Sequence, residues 1–317
     1  MTTTAYLFPG QGSQRPGMGR DLAERYPEVC GEVFAAADDV LGLPLSRLCW
    51  DGPAAELQRT EITQPAVFVA SIAALRLLER SLPEPGMVAG HSLGEYTALV
   101  AAGVLDWTDA LRLVRRRGEL MAAVNDRTPG AMVAIIGLST LDVIKCCGEA
   151  MVTTGEVVEV ANYNDDTQHV ISGTLAGVAA AAVRARGRSA KVVPLNVGAP
   201  FHCSLMRAAQ EHLDAELSRV RFHDPRVPVV ANVSATVIQT GEAARGALRQ
   251  QLVGAVHWRQ SLQRLVDHGI DTFVEVGPGR VLTGICRRMY PDLTAHSAAE
   301  ARRVERTIHE LTALPTG

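Results

Sequence analysis

The sequence predicts an α/β protein with a small subdomain inserted into it, and three observations carry that expectation. Short apolar runs alternate with longer segments of helical periodicity, the pattern of strands and helices packed in layers. A G-x-S-x-G run, Gly90-His91-Ser92-Leu93-Gly94-Glu95, lies between one such apolar run and one such helix. Between about residues 130 and 197 the rhythm changes to strand, helix, strand, strand, helix, strand, the order of a ferredoxin-like unit.

In chain order, Ala5 to Phe8 predicts a first strand, followed by the glycine-rich loop Phe8-Pro9-Gly10-Gln11-Gly12-Ser13-Gln14. Ala66 to Arg80 predicts a helix and Met87 to Ala89 a short buried strand. From Leu93 to Gly103, alanines and leucines at helical spacing end on a glycine. Thr108 to Val124 predicts another helix. The insert then reads Ala131 to Ile136 (strand), Thr140 to Cys147 (helix), Val157 to Ala161 and His169 to Ser172 (strands), Thr174 to Arg184 (helix) and Lys191 to Leu195 (strand). Helices over Ser204 to Val220 and Trp258 to His268, and strands over Val227 to Ala231 and Thr272 to Val276, complete the main body. The expected division is 1–129 with 198–317 for the larger domain and 130–197 for the subdomain. There is no internal repeat, coiled coil or low-complexity linker.

Composition narrows the function. The 317 residues are 47% hydrophobic and 21% charged, which suits one large globular domain with an inserted piece. A net charge of −3 gives no field that would favour nucleic acid. The six cysteines form no C-x-x-C pair, and vicinal Cys146-Cys147 is a poor disulfide candidate, so a reducing cytoplasm is the simplest reading. Met1-Thr2-Thr3-Thr4 lacks the basic and apolar regions of a signal peptide. The longest apolar stretch, Ala66 to Leu75, is interrupted by Ser71 and stopped by Arg76, too short to span a bilayer. No membrane association is expected, and the chain is expected to act as a monomer.

The G-x-S-x-G run is read in context. A strand, a sharp turn and a helix form a nucleophile elbow, which holds the serine hydroxyl clear of the backbone and points helix N-terminal N–H groups at the reaction site. The alternative is a plain strand-to-helix turn that contains a serine. A serine nucleophile needs a base, and His202 is the best placed of the nine histidines. It lies in Gly198-Ala199-Pro200-Phe201-His202-Cys203-Ser204, at the seam between subdomain and main body, where sites tend to form. His91 adjoins Ser92, but neighbouring side chains in an elbow diverge, so a structural role is expected for it. Gln11, just after the first strand, could supply a backbone or amide donor that joins the Leu93 N–H in an oxyanion hole; a plain turn is the alternative. The loop lacks the Gly-Lys-Ser/Thr of a phosphate loop.

Arg117 bears on the substrate. On a helix its neighbours three and four residues away are Leu113, Val114, Leu120 and Met121, all apolar, so it projects from the buried stripe. Arg115 and Arg116 are expected to be solvated. A buried guanidinium needs an anionic partner, and two remain open: an internal carboxylate, or a substrate carboxylate held by the guanidinium fork.

Taken together, these pieces resemble the malonyl-CoA:acyl carrier protein transacylase family, the discrete acyltransferases of fatty-acid or polyketide synthesis. The resemblance spans essentially the whole chain. It rests on Phe8-Pro9-Gly10-Gln11-Gly12-Ser13-Gln14, Thr63-Gln64-Pro65-Ala66, Gly90-His91-Ser92-Leu93-Gly94-Glu95-Tyr96, Arg117-Gly118-Glu119-Leu120-Met121, Gly130-Ala131-Met132, Ala161-Asn162-Tyr163-Asn164, Phe201-His202-Cys203 and Glu275-Val276-Gly277-Pro278-Gly279.

The resemblance implies an α/β-hydrolase-like main domain with a ferredoxin-like insert. It implies Ser92 as the acylated nucleophile, His202 as its base, and Gln11 with the Leu93 N–H as the oxyanion hole. It implies that the Gln251 carbonyl orients the histidine in place of the acid of a usual triad. Arg117 would bind the free carboxylate of a malonyl group, with Gln64, Phe201, Met121 and Asn162 around the substrate. Leu93 and Phe201 resemble the malonyl-selective form. The partners implied are malonyl-CoA and an acidic acyl carrier protein, with Arg287, Arg288, Arg302 and Arg303 as a candidate docking rim. The implied reaction needs no metal or redox cofactor. Where the family often has Asn-Pro before Val-x-Trp, this chain has Gly254-Ala255 before Val256-His257-Trp258. The alternatives are an acyl hydrolase that clears carriers, a non-catalytic carrier-docking module, and transfer of a substituted malonyl unit.

Overall fold

The computed structural model describes residues 3–197 and 199–313. Met1-Thr2 and Gly198, on which the loop before His202 and the expected second start of the main domain fall, lie outside the described residues. Two sheets organise the chain. The first has six strands in the order β10-β9-β1-β2-β7-β8. They are β1 (Thr4–Phe8), β2 (Met87–Gly90), β7 (Val229–Val230), β8 (Val237–Ile238), β9 (Thr272–Val276) and β10 (Thr294–Ala298). From β10 through β7 the pairing is parallel, and only β8 runs antiparallel. Each residue of β1, β2, β7 and β9 is fully buried apart from Thr4, as expected for parallel strands covered on both faces.

The second sheet holds β3 (Gly130–Ile136), β4 (Val158–Tyr163), β5 (Gln168–Thr174) and β6 (Lys191–Pro194), all antiparallel, in the order β4-β5-β3-β6. Helices Thr140–Thr154 and Leu175–Gly187 cross over between its strands, capped by Ser139 and Thr174, whose hydroxyls accept backbone N–H bonds from Asp142 and Gly177. They bury Val143, Cys146, Cys147, Ala150, Val178 and Ala181 against Val133, Ile135 and Ile171 in a core of their own. The architecture is an α/β main sheet with a small ferredoxin-like subdomain.

Some elements differ from expectation. Strands β8 and β10 and the helices Gly241–Gln251, Val281–Met289 and Ala301–Thr312 have no counterpart in the periodicity reading. The two strands are short or polar, helices Gly241–Gln251 and Ala301–Thr312 are largely polar, and Val281–Met289 is too short, at nine residues, for its periodicity to stand out. Ser204 to Val220 begins as a 3₁₀ turn and ends as a helix at Leu217. The helix expected over Ala66 to Arg80 runs from Thr60 to Ser81, with Pro65 inside it. Proline has no N–H to give the Glu61 carbonyl, and Arg115 Nη1 donates to that carbonyl instead at 2.7 Å. Arg115 is therefore half-buried and engaged rather than solvated, whereas Arg116 pairs at the surface with Glu119 and Glu216.

At 22 residues, Thr60–Ser81 is also long and apolar enough to cross a membrane, contrary to the expectation that no stretch is. Its most apolar window is 89% buried inside the fold, and it packs along helix Trp107–Arg127. All six cysteines are buried and unpaired.

Candidate active site

Strands β1, β2 and β9 end side by side, and their carboxyl-end loops open into one crevice, the place where open parallel sheets bind ligands. The β2 end carries Ser92 in the left-handed region at φ 54°. An L-residue is held there only when its surroundings over-determine it. Here the His91 N–H donates to the Phe8 carbonyl at 2.9 Å, and the Ser92 N–H donates to Asn232 Oδ1 at 2.7 Å. Helix Gly94–Ala101 starts directly afterward. A Cβ at Gly94 would lie 2.0 Å from the Phe8 carbonyl oxygen, so only glycine lets the elbow approach β1 this closely.

His202, also left-handed at φ 58°, sits after β6 in a turn tied to the subdomain by Ser204, whose N–H and hydroxyl bond Glu159 at 3.0 and 2.5 Å. Its Nε2 is 2.7 Å from Ser92 Oγ. Its Nδ1 donates to the Gln251 carbonyl at 2.9 Å and lies 3.3 Å from the Gly254 carbonyl. With Gly254-Ala255 in the chain the Gln251 carbonyl still stands at Nδ1, and the Gly254 carbonyl lies beside it as a second acceptor. With both carbonyls facing Nδ1, that nitrogen carries the proton and Nε2 is free to accept one from the serine. Burial first, then the Arg117 charge, pushes the imidazole down to about 3, against the pull of the two carbonyls. It is neutral at physiological pH.

Arg117 reaches the same point from helix Trp107–Arg127. At 1% exposure its guanidinium is fully buried. Nη1 donates to Gln64 Oε1 at 2.7 Å, and Nη2 donates to Ser92 Oγ at 3.1 Å and Gln251 Oε1 at 3.0 Å. The guanidinium carbon lies 5.7 Å from the centre of the Tyr96 ring. A Cβ at Gly118 would meet the Glu61 Cα at 2.8 Å, so glycine there lets the helix carrying Arg117 lie close against the one carrying Gln64. Gln64 Nε2 contacts Met121 Sδ at 3.3 Å.

Among the described residues Arg117's hydrogen-bond partners are neutral. The nearest internal acid, Glu95, acts one residue removed. Its Oε2 accepts from Gln251 Nε2 at 2.6 Å and its Oε1 from the Asn232 N–H at 3.2 Å. Burial pushes its carboxyl up to about 7, against the opposing pull of Gln251, Asn232 and Arg117.

In front of Ser92 lies a cleft of about 210 Å³. Gln11, His91, Ser92 and His202 line it from the main body, and Met132, Asn162, Asn164 and Val170 from the subdomain, with Phe201 at the seam. Arg117, Gln64, Met121, Leu93 and Gln251 stand behind the nucleophile rather than on this wall. Gln11 directs its side-chain amide to Thr60 Oγ1 at 3.3 Å, and its backbone N–H is a donor that this bond leaves available to the cleft. Neither that N–H nor that of Leu93 donates to an acceptor among the described residues. His91 turns away from the serine, as expected, and bonds Asn164 Oδ1 at 2.9 Å.

Sequence reasoning missed Asn232, Asn164 and the part played by Glu95. Asn232 follows the end of the expected strand Val227 to Ala231, and the strand-end rule that drew attention to Gln11 applies to it equally. Glu95 was visible as a carboxylate on an otherwise apolar helix start. Asn164 stood in the quoted run Ala161-Asn162-Tyr163-Asn164 without a role, because its partner His91 lies across the subdomain seam. Of the four rim arginines, Arg288 is engaged with Asp165 at 2.8 Å and Gln168 at 3.0 Å, and Arg287 donates to the Ala295 carbonyl at 2.8 Å. Arg303 faces Glu300 at 3.7 Å, and Arg302 is exposed.

Among the described residues no group of three or more His, Cys, Asp and Glu side chains is arranged to hold a metal ion.

A family model described as an acyl transferase domain matches residues 5–315. The malonyl CoA-acyl carrier protein transacylase of Escherichia coli strain K12 is 44% identical over 302 residues, covering 95% of this chain and 97% of that protein. The protein of the same name from Bacillus subtilis strain 168 is 40% identical over 312 residues, 98% of each. The solved malonyl-CoA:acyl carrier protein transacylase of Xanthomonas oryzae pv. oryzae superposes with a TM-score of 0.93 at 41% identity, over 98% of this chain and 99% of that one. A malonyl-transacylase solved in complex with its type II PKS acyl-carrier protein gives a TM-score of 0.93 at 39% identity, over 98% of this chain and 100% of that one.

Proposed function

The chain belongs to the acyl transferase domain family, and we propose that it moves a malonyl unit from coenzyme A to the phosphopantetheine thiol of an acyl carrier protein through an acyl-serine at Ser92. The observation that carries the reading is the unbroken relay from Arg117 Nη2 to Ser92 Oγ, to His202 Nε2, and from His202 Nδ1 to the Gln251 carbonyl.

In the first half-reaction Ser92 Oγ attacks the thioester carbonyl as its proton passes to His202 Nε2. The oxyanion is met by the backbone N–H groups of Leu93 and Gln11. When the tetrahedral intermediate collapses, the C–S bond breaks, and the imidazolium returns its proton to the departing CoA sulfur. In the second half the carrier thiol gives its proton to His202. The resulting thiolate attacks the acyl-serine, and Ser92 Oγ leaves and takes the proton back. A neutral imidazole is the form both half-reactions start from. The Gln251 carbonyl holds its tautomer, as the acid does in a Ser-His-Asp triad, but with a smaller charge.

Arg117, braced by Gln64 and backed by Met121, is the group that takes the free carboxylate of the acyl unit. To do so it exchanges its contact with Ser92 Oγ for a carboxylate oxygen. Phe201 and Asn162 bound the space beside the thioester and favour malonyl over bulkier α-substituted units. Every group used is a side chain or a backbone amide, so the steps call on no cofactor beyond the two thioester carriers. The domain boundaries that suit this division are 1–129 with 198–317 for catalysis and 130–197 for the subdomain. The unpaired cysteines support a cytoplasmic setting.

The experiment is intact-mass measurement after mixing the protein with malonyl-CoA, methylmalonyl-CoA and acetyl-CoA, with and without a holo carrier protein. A malonyl adduct that disappears in Ser92→Ala and passes to the carrier is the expected result. Free malonate accumulating without transfer would replace the reading with a hydrolase.

A further inference from the structure

Glu95 is a carboxylate with 0% exposure, three residues after the nucleophile, whose partners are an amide side chain and a backbone N–H. Both partners are parts of the machine. Asn232, whose N–H it accepts, holds the Ser92 N–H through Oδ1 and the Gly90 carbonyl through Nδ2 at 2.6 Å. Gln251, whose side chain it accepts, holds three further groups. Its Nε2 donates to the Ser92 carbonyl at 2.8 Å, its Oε1 accepts from Arg117, and its backbone carbonyl accepts from His202.

A primary amide has two N–H donors and one oxygen. In Gln251 both donors are spent on oxygens, the Ser92 carbonyl and the Glu95 carboxyl, and above about pH 7, where that carboxyl is ionised, neither can donate in return. The amide oxygen is left with the Arg117 guanidinium as its partner. Turning the amide over would set its NH₂ against the guanidinium N–H and its oxygen against two other oxygens, so three favourable contacts would become three repulsive ones. The acid is also displaced from the cation by one side chain. A carboxylate in direct contact would occupy the fork that an incoming acyl carboxylate needs. One acting through Gln251 biases the network and leaves the guanidinium with neutral partners, Gln64, Ser92 and Gln251, of which the Ser92 hydroxyl can yield to a carboxylate oxygen.

We propose that Glu95 is a positioning residue for acyl selectivity: by accepting from Gln251 it locks the amide oxygen toward Arg117 and so holds the guanidinium aimed at the nucleophile. The inference rests on the reading of Arg117 as the ligand of the malonyl carboxylate.

Glutamine at this position removes the lock, because its own amide can face Gln251 with either an oxygen or an NH₂. Aspartate keeps the charge but withdraws it by one methylene. The test compares wild type, Glu95→Gln and Glu95→Asp at about pH 8, above the value to which burial pushes the carboxyl. Rates and KM for Ser92 acylation are measured with malonyl-CoA and with acetyl-CoA separately. A neutral serine-directed phosphonofluoridate reports nucleophile reactivity alone.

In Glu95→Gln the malonyl-to-acetyl ratio of kcat/KM falls about tenfold, as for loss of one buried charge-assisted hydrogen bond. The fall comes through KM for malonyl-CoA, and the phosphonofluoridate rate stays within about twofold. Glu95→Asp moves the ratio the same way, which keeps the test open if the glutamine variant fails to fold. An unchanged ratio in the variants overturns the proposal. So does a parallel fall in all three rates, because that would mean Glu95 only supports the elbow. If wild type itself shows no preference for malonyl over acetyl, the reading of Arg117 falls and takes this one with it. If wild type discriminates and the variants discriminate equally, the Glu95 inference falls alone.

Discussion

On the parallel-sheet side of the cleft, Ser92, His202, Arg117, Gln251, Glu95 and Asn232 form one connected hydrogen-bond network, and apart from Ser92 each is buried. On the subdomain side, Met132, Ala134 and Val170 present apolar surface, relieved by Asn162, Asn164 and Gln168. That wall is fastened to the main body by rim pairs, Arg288 with Asp165 and Arg259 with Asp166, and by the Asn164–His91 bond. The first side has no slack, because removing any member leaves another polar group buried and unpaired. The second side can change shape at modest cost. On the function proposed above, rate and charge recognition would belong to the sheet, and fine discrimination to the subdomain. Substitutions on the two sides should differ in size and in kind.

The largest effect expected is at Arg117. Arg117→Ala removes the buried fork, and transition-state binding of a malonyl unit should fall by about 2–5 kcal/mol, roughly thirtyfold to several thousandfold in kcat/KM. Acetyl-CoA has no carboxylate to lose, so the malonyl-to-acetyl ratio should collapse while acetyl transfer persists. Steady-state kinetics with the two thioesters measures it. Equal losses for both would mean Arg117 serves the Ser92 hydroxyl, which it also touches, rather than the substrate.

Acid comes next. An unperturbed histidine base, with an ordinary value of 6.5, would lose most of its activity by pH 5; His202 is pushed down to about 3 and should not. Single-turnover acylation of Ser92 by acetyl-CoA, chosen so that no substrate carboxylate interferes, should stay within about twofold between pH 8 and pH 5, where an unperturbed base would lose roughly thirtyfold. The same shift has a stability sign. Between about 6.5 and 3 the unfolded chain binds a proton at this histidine that the folded chain refuses. The contribution is therefore fully present above 6.5 and is lost as the pH falls toward 3. An acid limb near pH 6.5 in the acylation rate would show that the imidazole is not held neutral by its surroundings.

Both effects concern residues that could be read from the chain, and the reason is local. Ser92 announces itself through the glycines its elbow requires, and Arg117 through a lone charge on an apolar helical stripe. His202 is legible from the turn before it and its place at the seam. Strands β1, β2, β7 and β9 of the main sheet and the subdomain order were legible for the same reason, since their periodicity is local, whereas β8 and β10, short or polar, were not. What stayed hidden depends on contacts distant in sequence. Asn232 meets Ser92 across 140 residues, and Asn164 meets His91 across 73. Helix Gly241–Gln251, which delivers the Gln251 carbonyl, has a polar composition that hides its buried face. The start of helix Thr60–Ser81 was lost to Pro65, whose cost is offset by an arginine 50 positions beyond it.

A smaller effect should separate the walls. Phe201, 6% exposed at the seam, lines the cleft, and on the proposed function it bounds the space an α-substituent would enter. Phe201→Ala should raise the methylmalonyl-to-malonyl ratio, within the 1–3 kcal/mol that a methylene-scale fit is worth, and for this open a site by about tenfold or less. Competition between the two CoA esters, read by intact mass, gives the ratio directly. Loss of all acylation instead would place Phe201 with the sheet side, as a support for His202.

The smallest effect lies at the rim, where the comparison becomes sharpest. Arg302 is exposed, whereas Arg288 clamps the hairpin that carries Asn164 and Gln168 to the cleft. If an acidic carrier docks here, Arg302→Glu should raise KM for the carrier about threefold at low salt, and the difference should fade at high salt. Its acylation by malonyl-CoA should be unchanged, because that step does not involve the carrier. Arg288→Glu sets a second acid against Asp165 and should disturb both half-reactions, since releasing the hairpin moves the wall that each substrate meets. The two half-reactions measured separately for each variant decide the matter. Equal behaviour of the two variants, confined to the carrier step, would mean that the Arg288 pair is surface charge and that the subdomain wall is held by its other fastenings, among them the Asn164–His91 bond, the Glu159–Ser204 contacts and the backbone bonds of Ala161 and Tyr163 to Val256.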